Sequence, residues 1–233
     1  HIFSLELQHL YQKEDPFYRA IKQFQPFGGL LSLNTDQENF NINQDRQAKT
    51  GKIEGKLDYY YLLSPKANLN FTFGVTDVSQ DFNSSIFQIM DSGNREVFSE
   101  NFLNNDVSFR FLDAYAAFHY RFVSGIFTFD PGFTLHSYKT VTRQLGSEED
   151  NSFSFFRPDF RILLKFKDSE TLRLVYRSTR EFTDINNLAE GYIFRNYNSF
   201  FQGNPNLEAA FFNRINLNYQ SINIFNFTNI FAN

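Results

Sequence analysis

The 233-residue chain contains no cysteine, which excludes disulfide frameworks, zinc knuckles and thiol chemistry. Its formal net charge of −4 argues against a nucleic-acid partner, because such partners bind a basic face. Aromatic residues make up 19% of the chain, yet no apolar run reaches the roughly 18 residues that a transmembrane helix needs.

The N-terminal part shows alternating apolar and polar residues, which is typical of strands with two different faces. Leu57 and Tyr59, for example, alternate with Lys56 and Asp58. Ser64-Pro65-Lys66-Ala67 predicts a tight turn with proline at its second position. The pattern predicts three strands, at about residues 2–12, 49–63 and 68–78. Two polar segments predict long loops, at about residues 13–48 and 79–106.

The longest alternating stretch is a predicted hairpin over residues 107–138. Apolar and aromatic side chains occupy one face of both strands, and charged or small side chains occupy the other. We place its turn at Ser124-Gly125, as a two-residue connection. In that register two cross-strand pairs form on the polar face: His119 with Asp130, and Asp113 with His136. Such pairs stabilise a sheet by roughly 0.2–1 kcal/mol each.

The C-terminal part predicts four more strands by the same alternation. Charged residues at 144–151 predict a loop after the hairpin, and Lys167 to Glu170 predicts a tight turn. A third long loop is expected at about residues 183–208, and a turn at Gln220-Ser221. The strands lie at about residues 153–166, 171–182, 209–219 and 222–231.

About nine amphipathic strands, joined in turn by short and long connections, predict an all-β fold: a segment of a transmembrane antiparallel β-barrel. Strands of roughly 9–11 residues or more are long enough to cross a bilayer. The short turns would face the periplasm and the long loops the outside. Because closed bacterial barrels have even strand counts, we expect residues 1–233 to be part of one larger barrel domain. The alternative is a soluble β-sandwich, whose apolar faces pack together, or a β-helix.

Charged residues on the polar faces are the candidates for a lumen wall. A His–Asp pair also occurs in catalytic triads and metal sites, but no nucleophilic serine accompanies either pair on its face. We therefore predict structural pairs, no catalytic residue, no metal site and no cofactor. The lumen-facing candidates are Asp113, His119, Arg121, Asp130, His136, Arg157, Asp159, Arg161, Arg177 and Glu181.

One segment carries a family resemblance. Gln202-Gly203-Asn204-Pro205-Asn206-Leu207-Glu208, followed by Asn213 to Tyr219, resembles the "GNPNLKPE…N.ELGY" signature of TonB-dependent outer-membrane receptors of the Bacteroidetes type. Tyr176 to Phe182, followed by Asn187-Leu188, resembles the strand before that signature. Ala209-Ala210 stands where the family has Pro-Glu.

The resemblance implies a barrel of about 22 strands in the bacterial outer membrane, of which this chain supplies about nine. It implies active uptake of a nutrient, such as a glycan, a peptide or a metal chelate. A plug domain outside this chain would fill the barrel and contact the periplasmic TonB complex. Expected partners are the lipid bilayer, lipopolysaccharide and a surface lipoprotein or other subunit of a membrane complex. The alternatives are a structural or secretion-associated barrel subunit, a soluble β-rich binding module and, last, a barrel enzyme.

Overall fold

The computed structural model describes residues 1–27, 29–98, 100–181, 183–196, 199–207, 209–223, 225 and 227–233. Nearly all of its regular structure is extended, with single turns of 3-10 helix at Asn101–Leu103 and Ile185–Asn187. Among the described residues no helix is long and apolar enough to cross a membrane. The strands are β1 Ile2–Glu14, β2 Phe17–Lys22, β3 Phe40–Ser64, β4 Ala67–Ile89, β5 Arg95–Val97, β6 Asn104–Ser124, β7 Phe127–Gln144, β8 Ser147–Lys167, β9 Glu170–Glu181, β10 Ile193–Asn196, β11 Ser199–Phe201, β12 Ala210–Asn223 and β13 Thr228–Ala232.

The strands form one 11-stranded antiparallel sheet and a separate two-stranded hairpin, β10–β11. Along the sheet the order is β1-β3-β4-β6-β7-β8-β9-β12-β13, with β2 added to β3 and β5 added to β4. Each strand on this path lies beside the next long strand in the sequence, which is the up-and-down arrangement of a barrel wall. The nine strands of the path agree with the predicted number, and β1 and β13 form the two edges.

Several strands are longer than predicted. β3 has 25 residues and β4 has 23, so each extends about 75–80 Å, far more than a bilayer's thickness. The predicted loop bounds 13–48 and 79–106 are therefore wrong, because β3 begins at Phe40 and β4 continues to Ile89. The segment 144–151 is not a loop either, since Gln144 pairs with Ser147 across a two-residue turn. Polar composition suggested loops there because Asn, Gln, Ser and Asp outnumber the few apolar residues, such as Ile42 and Ile86, that these strand ends place in the core.

The turns at one end of the sheet are short, and we call this the short-turn end. Those at Pro65-Lys66 and at Asp168-Ser169 lie where they were predicted. The hairpin turn does not: Ser124 pairs with Phe127, so the turn residues are Gly125 and Ile126, and Gly125 has a φ of 56° that suits glycine. The predicted turn at Gln220-Ser221 is also wrong, because β12 continues through it and both residues pair with β13.

The outer face of the sheet carries an apolar belt above the short-turn end. On β3 the belt runs from Leu63 to Ile53, about ten residues, which matches a tilted membrane strand. Above it, ion pairs replace apolar side chains. These are Asp77–Arg110 at 2.7 Å, Lys139–Asp150 at 2.8 Å and Arg143–Glu148 at 2.9 Å. The hydrogen bond from Arg143 lowers the pKa of Glu148, which lies outside the belt. The belt therefore marks the part of the sheet that lipid covers.

The opposite, inner face holds the buried core at the loop end, the end away from the short turns. The described residues between β9 and β12, 183–196 and 199–207, fold back over this face, and we call them the inner loop. Its Ile185, Leu188 and Ile193 pack on Phe82, Val107 and Phe109 of β4 and β6. Phe194 packs with Ile42, Ile86, Leu31, Phe98 and Leu103. The loop end is therefore a packed structure, whereas the short-turn end leaves the inner face open.

Candidate functional site

All ten predicted lumen candidates lie on the inner face, on β6, β7, β8 and β9. The register shows this directly, because Asp159 pairs with Gly132 on one side and with Arg177 on the other, and Gly132 pairs with His119. The hairpin register differs from the predicted one by two residues, so every side chain keeps its predicted face. Their role in function stays a prediction.

His136 joins two charged residues. Its Nδ1 lies 2.9 Å from Asp113 Oδ1, and Arg157 Nη1 lies 3.0 Å from its Nε2. Because arginine is only a donor, Nε2 accepts and the imidazole proton sits on Nδ1, which donates to Asp113. The side chains of His136 and Asp113 are only 7% and 12% exposed, and Arg157 also donates to the carbonyl of Ser178 at 2.9 Å. Both ring nitrogens are thus engaged, as in a structural bridge.

The predicted pairing of His119 with Asp130 is wrong. His119 Nε2 lies 3.0 Å from Asp159 Oδ1 on β8, two strands away, while Asp130 accepts from Arg161. The reason is Gly132, which lies between them: a Cβ there would be 2.0 Å from His119 Cδ2. A histidine ring can therefore cross the strand only because glycine has no side chain.

His119, Asp130, Asp159 and Arg161 line an open cavity near the short-turn end, with a volume of about 360 Å³. It brings together six of the predicted candidates, while Asp113, His136, Arg157 and Glu181 lie outside it. Glu181 instead accepts from Arg214 on β12 at 2.5 Å. The six are His119, Arg121, Asp130, Asp159, Arg161 and Arg177.

Amide side chains on the inner wall hold the inner loop. Gln44 is fully buried and bonds both the carbonyl of Tyr192 at 3.0 Å and the amide of Phe194 at 2.9 Å. Asn105 accepts from the amide of Gly191 at 2.7 Å, and Gln144 donates to the carbonyl of Leu188 at 3.3 Å. These residues were not among the predicted candidates. Their signal is a polar residue two positions from buried apolar ones, as Asn105 lies between Leu103 and Val107.

Further polar contacts lie at the same end. Arg46 donates to the carbonyl of Phe194, and burial lowers the pKa of its guanidinium. Burial raises the pKa of Tyr18, whose ring stacks on Phe194 at 4.8 Å between centroids. The segment Gly203 to Asn206 runs back beside the first part of the inner loop. The amide of Gly203 donates to the carbonyl of Ala189 at 2.8 Å. The loop is therefore held by hydrogen bonds and apolar contacts together.

Beside the inner loop lies a second cavity, of about 670 Å³. Phe109 and Phe153 form its apolar wall, and Thr142, Asn151 and Asn206 supply hydrogen-bonding groups. Within the described part of the chain, no group of three or more His, Cys, Asp or Glu residues is arranged to hold a metal ion. The cavity offers a ligand aromatic surface, neutral polar groups and the charged side chains of Glu149, Asp150 and Arg180.

Three comparisons relate this chain to known proteins. A family model described as "Outer membrane protein beta-barrel family" matches residues 1–233. No curated protein matches the chain. Among 13 matching chains of solved structures is the ferric citrate transporter FecA in its unliganded form, with a TM-score of 0.57 and 12% identity over 94% of this chain and 30% of that chain. At this identity the similarity shows the fold alone, and the chain spans about 30% of that transporter's length.

Proposed function

This chain belongs to the outer membrane protein β-barrel family, and we propose that it forms part of the barrel of an energy-coupled transporter for nutrient uptake. The protein lies in the bacterial outer membrane. This location leaves the soluble binding module without support. The likeness of its fold to a transporter barrel supports uptake as the activity of the whole protein.

The observation that carries the proposal is the contrast between the two faces at membrane depth. The outer face presents Leu57, Phe73 and Leu135 in one cross-strand row. The inner face at the same depth presents hydrogen-bonded charges such as His119–Asp159. Charges inside a membrane are favourable only where water or protein covers them. The inner face therefore suits a lumen filled by water or by another domain.

In this proposal a nutrient enters at the loop end and meets the inner loop before it reaches the charged wall. The cavity of about 670 Å³ beside that loop is large enough for a small glycan, a short peptide or a metal chelate. A plug domain elsewhere in the protein would occupy the lumen. The periplasmic TonB complex would act on that plug to admit the nutrient.

The test is uptake by cells that carry or lack the complete gene, measured with labelled glycans, peptides and metal chelates. We expect the deletion to abolish uptake of one class, and collapse of the proton gradient in complemented cells to abolish it too. Unchanged uptake of all three classes, together with a defect in surface-protein assembly or secretion, would contradict the transporter.

That second outcome would support the alternative, a structural or secretion-associated barrel subunit. The observation behind this alternative is the bonding of the inner loop to β3, β6 and β7 through Gln44, Asn105 and Gln144. Such bonding stiffens the wall, as a structural subunit requires. Uptake measurements separate the two functions because only the transporter depends on energy coupling.

A further inference from the structure

We propose that the cavity at the short-turn end is a binding site for an anionic group, a carboxylate or a phosphate. Its volume of about 360 Å³ is enough for such a group with its neighbouring atoms. Three guanidinium groups line it, those of Arg121, Arg161 and Arg177, against two carboxylates, those of Asp130 and Asp159. The cavity therefore has an excess of positive charge.

Both carboxylates already have partners. Asp130 accepts from Arg161, and Asp159 lies 3.0 Å from His119 Nε2. Arg121 and Arg177 are exposed to the cavity, and no carboxylate in the described part of the chain lies within ion-pair distance of either. Among the residues that the structure describes, Arg121 and Arg177 are thus the two guanidinium groups lining the cavity that have no carboxylate partner.

The depth of the cavity makes this excess costly. Arg121 follows Tyr120 and precedes Phe122 in β6, whose rings belong to the lipid-facing belt. A charge at that depth is stabilised by an opposite charge or by water. The planar guanidinium fork matches carboxylate and phosphate oxygens and binds either in a bidentate way.

Neutral donors complete the site. Asn68 pairs with Arg121 across β4 and β6, and Asn70 pairs with His119. Both asparagines and Tyr60 line the cavity. Amide and hydroxyl groups of this kind donate to the oxygens that the guanidinium groups leave free.

The anion has two possible sources: a carboxylate side chain from another segment of the same protein, or a free anion in the lumen. The chemistry is the same for both. This inference goes beyond the proposed function, since the site binds an anion whether or not a nutrient crosses the barrel. Its test therefore measures binding and not uptake.

The experiment uses the complete protein, purified in detergent, with inorganic sulfate as the probe. Thermal unfolding is followed in sulfate and in chloride at matched ionic strength. The variants are the double substitution R121Q/R177Q and the charge-retaining R121K/R177K. Arg173→Gln is the matched control, because Arg173 lies on the same strand as Arg177 and is exposed, but lies outside the cavity.

If the site takes a free anion, sulfate raises the unfolding temperature of the wild type and of R173Q by a few degrees over chloride, and R121Q/R177Q loses this shift. If a carboxylate of the protein fills it, sulfate has no effect on the wild type. R121Q/R177Q then unfolds well below R173Q, and R121K/R177K recovers most of the difference.

The proposal is overturned if R121Q/R177Q and R173Q behave alike in both respects, because any effect would then be general electrostatics. Should the double variant fail to fold, R121Q and R177Q are measured singly. Each is expected to lose part of the sulfate shift, or part of the stability, that R173Q retains.

Discussion

Glycines on the inner wall decide which polar side chains meet. At Gly132 the missing side chain opens the path from His119 to Asp159. The ring of Tyr115 likewise lies over Gly74, where a Cβ would be 2.2 Å from the Cζ atom of the ring. In both cases a ring on β6 crosses a neighbouring strand. Substitution of either glycine should therefore destabilise the protein, because the new side chain would displace a ring that packs against the glycine backbone.

The first prediction concerns Gly132→Ala. The new methyl group would displace the His119 ring and break its hydrogen bond to Asp159, so we expect a loss of about 1–3 kcal/mol in unfolding free energy. Denaturant-induced unfolding of the complete protein in detergent measures it. In a His119→Ala background the same substitution should cost little, since the ring is gone. Equal costs in both backgrounds would show that His119 does not cause the effect.

The inner loop contributes residues to both buried apolar clusters at the loop end. Its apolar residues and the amide groups of Gln44, Asn105 and Gln144 hold it against the inner face. Gly203 allows the chain to pass close to itself, because a Cβ there would be 2.5 Å from the carbonyl oxygen of Asn187. That contact is to backbone, so the loop itself must move if a side chain is added.

We therefore expect Gly203→Ala to loosen the inner loop without unfolding the barrel. Limited proteolysis should cleave within residues 183–207 at least several-fold faster than in the wild type, while the strands remain protected. The matched control is Gly51→Ala, whose Cβ would meet only the flexible Ser79 hydroxyl, at 3.1 Å. Identical cleavage in both variants would mean that the loop is not held through this close approach.

The apolar belt gives a second prediction at the scale of elements. Phe73 lies on the outer face within the belt and is 55% exposed in the bare chain. Phe73→Lys should cost about 2–4 kcal/mol, because lysine then faces hydrocarbon. Thr76→Lys, on the inner face of the same strand, should cost much less. Folding into liposomes at increasing urea concentrations measures the stability of both variants. Equal losses of stability would contradict the assignment of the outer face to lipid and of the inner face to the lumen.

At the scale of the molecule, the two ends of the sheet differ in kind. Short turns close one end, whereas the other end carries packed loops beside one two-residue turn at Leu145-Gly146, an asymmetry that outer-membrane barrels share. We expect the loop end to face the outside. An epitope inserted between Leu145 and Gly146 should be labelled by antibody on intact cells. One inserted between Pro65 and Lys66 should be labelled only after permeabilisation, and the reverse pattern would contradict this orientation.

The strand pattern and its faces followed from the sequence. Leu57 and Tyr59 are on the outer face and Lys56 and Asp58 on the inner face, as their alternation predicted. Strand ends were less predictable. Residues 144–151 have the composition of a loop. Only Leu145 and Gly146 form a turn, however, and the other residues pair in β7 and β8. Polarity marks exposure to water, and a strand that rises out of the membrane is as exposed as a loop.

The residue pattern is enough to assign each side chain to a face of the sheet, because side-chain direction alternates at every residue of a strand and even a register error of two residues preserves it. Which residues come into contact depends on the folded arrangement of the strands. His119 reaches Asp159 and not Asp130 because Gly132 leaves the path open, and the inner loop lies inside because the inner wall offers it apolar and amide partners. Such contacts join residues that are far apart in the chain, so they cannot be predicted from local patterns of apolar and polar residues.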